Sequence, residues 1–125
     1  MPPLLLVMLG GAIGAGARHL VGRATLAALG PNYPWGTLAV NLIGGLLMGL
    51  LAGSLSRVGH GSEQLRFLLG VGVLGGFTTF SAFSLDVMNM LQRGDWGMGI
   101  TYILVSVIGS VLALAAGLAL TRAIA

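Results

Sequence analysis

Four apolar stretches, running from about Leu4 to Leu29, Trp35 to Leu55, Leu65 to Leu91 and Met98 to Thr121, restrict this chain to one kind of environment. A helix rises about 1.5 Å per residue, so crossing a hydrocarbon core of roughly 30 Å takes about 20 residues, and each stretch is long enough. The links between them are short and carry turn chemistry: GPNYPWG at 30 to 36, SRVGHGSEQ at 56 to 64 and QRGDWG at 92 to 97. With 56% hydrophobic residues, 7% charged ones and a mean hydropathy of +0.98, the chain lies far from soluble domains. The expectation is an all-α integral membrane protein with one four-helix transmembrane domain over residues 1 to 125, leaving no room for a soluble domain. No positive charge precedes the first run, so a cleaved signal is not expected.

The charges are few and scattered. Six arginines, no lysine and three acids give a net charge of +3 without a clustered basic face, which excludes a nucleic-acid footprint. Cysteine is absent, so neither a disulfide framework nor a thiolate nucleophile is available. His19 and His60 are far apart in sequence and no His, Asp, Glu or Cys cluster exists, so an enzyme is not expected. With four spans, Arg57, Arg66 and Arg122 fall on one side, and Arg23 and Arg93 on the other, joined by Arg18 if it snorkels that way. Orientation is normally set by a clear excess of basic residues in cytoplasmic loops, and here there is almost none. Either a small sample hides a preference or the protein inserts both ways and forms an antiparallel homodimer.

Small residues recur at helical spacing: Gly10 and Gly14 on the first span, Gly45, Gly49 and Gly53 on the second, and Gly109, Ala113 and Gly117 on the fourth. In lipid such stripes let backbones approach, and packing accounts for them without any chemistry.

Polar side chains at bilayer depth are either glue between helices or the lining of a path. Thr37 and Asn41 share one face of the second span, and Tyr102, Ser106 and Ser110 form a stripe on the fourth. The third span carries GGFTTFSAFS at 75 to 84, in which Gly75, Gly76, Thr78 and Thr79 weaken the helix midway. Carbonyls freed there either coordinate a cation or are satisfied by nearby hydroxyls. These stripes offer donors and no carboxylate; Asp86, nearer a helix end, reads as a cap or a solvated group. With Arg18 as a fixed positive charge, the lining suits a small anion that accepts hydrogen bonds strongly. Phe80 and Phe83, three apart, could present electropositive ring edges to it.

Over its whole length the chain resembles the Fluc family of fluoride channels, also called CrcB. The resemblance rests on GGFTTFSAFS, on the NLIGG segment beginning at Asn41, on GGAIGAGARH at 10 to 19 and on the four-span length. It implies a dual-topology antiparallel homodimer in the bacterial inner membrane, its third helix broken mid-membrane, conducting fluoride passively out of the cell through two antiparallel pores. By match to the motifs, Phe80 and Phe83 would be the pore phenylalanines and Asn41 a pore amide donor. Ser81 would join the hydroxyl lining at the break; Tyr102, Ser106 and Ser110 would form the polar track with Thr37 nearby; Arg18 would sit near the vestibule. Backbone carbonyls of Gly75 and Thr78 from each subunit would hold a structural, untransported sodium ion. Two positions depart from the pattern: Ala82 stands where threonine is common, and His19 where tyrosine is common. A small multidrug transporter would need a membrane-embedded carboxylate, generally in the first helix, and residues 1 to 29 contain none. A purely structural membrane subunit would leave the hydroxyl stripes and aromatic ladder idle.

Overall fold

The computed structural model describes residues 2–58 and 62–124; His60 lies outside the described residues. The described residues form helices and connecting turns: α1 (Pro3–Leu29), α2 (Trp35–Leu55), α3 (Ser62–Leu65), a π-helix (Arg66–Leu74), α4 (Gly75–Phe77), α5 (Phe80–Gln92) and α6 (Trp96–Ile124). Counting Ser62–Gln92 as one rod, four helices among the described residues are long and apolar enough to cross a membrane. Proline opens α1, where its missing N–H costs nothing because first-turn donors have no helical partner. Gly30 and Gly94, at φ +82° and +87°, take positive φ values that glycine adopts without steric cost, ending α1 and turning the chain between α5 and α6. α2 ends where the sequence places it; α6 begins at Trp96, two residues before the expected Met98, and runs past Thr121 to Ile124.

The glycine stripes are the contact lines of the bundle. α2 lies along α6: a Cβ built on Gly45 would sit 2.7 Å from the Ser110 carbonyl oxygen, and one on Gly117 would sit 2.7 Å from the Leu50 amide nitrogen. α1 closes in the same way on the third rod, where a Cβ on Gly14 would meet the Phe77 amide nitrogen at 2.8 Å and one on Gly76 the Gly11 carbonyl oxygen at 2.6 Å. Backbone therefore touches backbone along both lines, which maximises dispersion contact where lipid offers no hydrophobic drive. At one end of the α2–α6 line, the Arg57 guanidinium donates to the Thr121 carbonyl, satisfying an acceptor in the last turn of α6.

The sequence pattern implies plain α-helix from Leu65 onward, whereas Arg66–Leu74 is π-helical, the Gly75 N–H reaching back to the Gly70 carbonyl. A π-helix is wider and poorly packed about its own axis, and its persistence over nine residues coincides with the close approach of α1. Beyond Phe77 the chain leaves the helix: Thr78 (φ −81°, ψ 158°) and Thr79 (φ −150°, ψ 122°) are both extended.

Adding a methyl at Gly49 drives a Cβ into the Leu114 carbonyl, whereas at Gly97 it meets nothing within 4 Å. Gly49→Ala is expected to destabilise the protein in detergent by about 1–3 kcal/mol and Gly97→Ala not to. Equal thermal unfolding of the two variants would refute the packing assignment.

Candidate functional site

Interruption of the third rod creates the local chemistry. Thr78 still closes a turn, its N–H and its hydroxyl both donating to the Leu74 carbonyl. Thr79 turns away: its N–H donates to Asn41 Oδ1 at 2.8 Å, and its carbonyl accepts from Asn41 Nδ2 at 3.1 Å. Thr79 also caps α5, its hydroxyl accepting the Ala82 N–H at 3.2 Å, so α5 begins with one of its orphan donors satisfied. Because the main chain of residue 82 makes this bond, the missing hydroxyl at Ala82 costs nothing in the cap. From the other flank Arg18 Nε donates to the Gly76 carbonyl at 3.1 Å. The two helices bordering the interruption thus supply hydrogen bonds that a continuous helix would have made internally.

Beside it lies a cavity of about 420 Å³ between the third rod, α2 and α6. It gathers Asn41, Thr78, Thr79, Phe80, Phe83, Ser106 and Ser110 of the residues singled out in the sequence. Phe80 and Phe83 have ring centroids 5.5 Å apart at an interplanar angle of 42°, and Phe83 lies 5.2 Å from the Tyr102 ring. Phe83 is buried, whereas Phe80 is 77% exposed on the single chain. Ser110 Oγ donates to the Asn41 carbonyl at 3.4 Å. Ser106 Oγ is buried and, among the described residues, has no hydrogen-bond partner.

The remaining sequence-selected residues lie outside this lining. Tyr102, one turn from Ser106, is fully buried and donates its hydroxyl to Asp86 Oδ2 at 3.1 Å, with Thr37 adjoining that hydroxyl. Ser81 is exposed, its hydroxyl 3.4 Å from that of Thr79. Arg18 engages the interruption itself through Gly76. Gly75 is exposed, and Thr79, whose N–H would close the next helical turn on the Gly75 carbonyl, gives it to Asn41 instead. Ala82, which would do the same for the Thr78 carbonyl, donates to Thr79 Oγ1.

Asp86 corrects the sequence reading. It neither caps a helix nor stands free in solvent: it accepts the Tyr102 hydroxyl and lines a second, smaller cavity of about 230 Å³ with Tyr33, Asn89 and Arg93. The signal was present in the spacing of Phe83, Asp86 and Met90, which places the carboxylate on the buried face of α5. In the loop above, partial burial pushes the Tyr33 hydroxyl pKa up, and its ring meets Tyr102 edge-on at 5.5 Å. The Asn41 contact with Thr79 had no comparable signal, since it depends on how closely α2 approaches the interruption.

Residues 5–118 match the family model described as CrcB-like protein, camphor resistance (CrcB). A protein of Phenylobacterium zucineum is 57% identical over 123 residues, covering 98% of this chain and 97% of its own length. One of Chelativorans sp. is 56% identical over 121 residues, covering 97% of each. One of Sphingopyxis alaskensis is 53% identical over 122 residues, covering 98% of this chain and 97% of its own. Each of these relatives carries the name fluoride-specific ion channel FluC.

Tyr102→Phe deprives the Asp86 carboxylate of its donor, and a lost hydrogen bond to a charged group is expected to lower stability by about 1.5–3 kcal/mol. Chemical unfolding of the purified variant measures this; no change would mean that the carboxylate finds another donor.

Proposed function

The chain belongs to the CrcB family, a family of ion channels and not of enzymes, and from that membership we propose that it is a fluoride-selective passive channel of the bacterial inner membrane. The observation that carries the reading is the buried Ser106 hydroxyl, without a partner among the described residues, in a cavity walled by Phe80, Phe83, Asn41 and Ser110. A buried hydroxyl left unsatisfied is costly unless something enters to accept its hydrogen bond.

Fluoride is small and strongly hydrated, and stripping its water without replacement is prohibitive. The proposed path substitutes donors for that water in sequence: the unpartnered hydroxyl of Ser106, the N–H of the Asn41 amide not used on Thr79, and the hydroxyls of Ser110 and Tyr102 as they turn from the Asn41 carbonyl and from Asp86, with Thr37 beside them. The electropositive edges of Phe80 and Phe83 line the same track. Ser81 would add its hydroxyl at the interruption, and Arg18 a fixed positive charge beside it. Several weak stations, in place of one tight one, let an ion leave as readily as it enters. Chloride, larger and a poorer acceptor, gains less from the same donors. Fluoride enters cells as neutral HF and is trapped as the anion, so an inside-negative potential drives it out without nucleotide or proton coupling.

Assembly completes the proposal. Two chains inserted in opposite orientations would form an antiparallel homodimer with two pores, a reading supported by the balanced arginines and by the exposure of Phe80 on a single chain. The extended pair Thr78–Thr79 would be a break at mid-membrane depth. The Gly75 and Thr78 carbonyls fit the oxygen donors a sodium ion needs, because the main-chain donors that would close a helix on them are engaged elsewhere. Gly75 and Thr78 would hold the ion, which would neutralise carbonyl dipoles between the two chains.

The test is fluoride efflux from liposomes holding the purified protein, followed with a fluoride-selective electrode and compared with chloride. Phe80→Ile, which removes a ring edge at similar volume, is expected to slow efflux by about tenfold or more; an unchanged rate would remove Phe80 from the path. Exchanging sodium for a large organic cation during purification is expected to shift the dimer toward monomer on gel filtration, and indifference to the exchange would count against the carbonyl site.

A further inference from the structure

Asn41 touches the third rod through both ends of its side-chain amide, and both ends land on the same residue. Oδ1 accepts the Thr79 N–H at 2.8 Å while Nδ2 donates to the Thr79 carbonyl at 3.1 Å. Two opposing residues in an antiparallel sheet exchange bonds in this pattern, with the amide here standing in for a strand of one residue. Thr79 holds the matching backbone, φ −150° and ψ 122°. Its carbonyl belongs to the peptide unit that leads into Phe80, so whatever fixes that unit fixes the starting direction of the Phe80 side chain.

We infer that Asn41 is a positioning residue, whose amide clasps the main chain of Thr79 on both edges and thereby sets the Phe80 ring against the cavity. The approach of the two elements is built for this contact. Gly44, one turn along α2, faces Thr78 so closely that a Cβ there would overlap the Thr78 methyl and sit 3.6 Å from the Phe77 ring. Any larger residue at that position would hold α2 away from the extended pair and take the Asn41 amide out of reach. The Asn41 carbonyl also accepts from Ser110, so one residue ties the interruption to the hydroxyl stripe of α6. An amide whose only task was to meet an anion would keep its carbonyl end idle; here that end is occupied at the shorter of the two distances.

The clasp rests on main-chain geometry, and only its effect on conduction rests on the fluoride-channel reading. Hydrogen–deuterium exchange resolved at Thr79 in the purified full-length protein reads the clasp directly. Asn41→Ala is expected to speed exchange there by about tenfold or more, with α6 unaffected. Asn41→Asp can accept but not donate when ionised and can do both when protonated. Either form still accepts the Thr79 N–H, so this variant should keep the protection that Asn41→Ala loses, and exchange as fast as in Asn41→Ala would overturn the acceptor half of the clasp. Unchanged protection in Asn41→Ala overturns the clasp, even if fluoride current through the wild-type protein in planar bilayers is normal. Fast exchange in Asn41→Ala with undiminished fluoride current overturns the positioning role. Fast exchange with a current reduced about tenfold supports it. Absence of wild-type fluoride current refutes the channel reading and leaves the exchange result to stand or fall alone.

Discussion

Every main-chain N–H and C=O within hydrocarbon must find a partner in the protein, and two consecutive residues of this chain abandon the helix that would supply one. The rest of the structure can be derived from how that debt is met. Asn41 reaches in from α2, Arg18 from α1, and Thr79 turns its own hydroxyl on the first turn of α5. With the Thr79 N–H on Asn41 and the Ala82 N–H on the Thr79 hydroxyl, the donors that would close a helix on the Gly75 and Thr78 carbonyls are engaged elsewhere.

Such reach has a geometric precondition. Asn and Arg side chains bridge an interruption only if their helices lie nearly against it, and that requires glycine wherever the backbones cross. Gly14 faces Phe77, Gly76 faces Gly11 and Gly44 faces Thr78, so the glycines that flank the extended pair bring the hydrogen-bonding residues within range. Packing and polar chemistry are therefore a single device here: loosening the first would unsatisfy the second.

Much of this was legible in the sequence. Hydropathy and turn residues place the spans because a bilayer fixes their length, and α2 falls at Trp35–Leu55 as the pattern requires. The grouping of Asn41, Phe80, Phe83, Ser106 and Ser110 around one cavity follows from one-sided polar spacing on three helices. What escaped was tertiary. Asp86 was discounted for its place along the chain, whereas its partner Tyr102 lies across the turn at Gly94. The π-helix has no compositional mark, since Arg66–Leu74 is as apolar as any α-helical span. The double bond between Asn41 and Thr79 depends on a separation between helices that no spacing rule encodes.

The Phe80 ring stands at the surface of the single chain although it also borders the cavity. A lone subunit would therefore offer fluoride a trough with acyl tails along one side, and acyl tails cannot donate a hydrogen bond. Under the proposed pairing, a freshly inserted copy stays electrically silent until a second copy closes the trough, so a cell could hold unpaired subunits in its membrane without dissipating its potential.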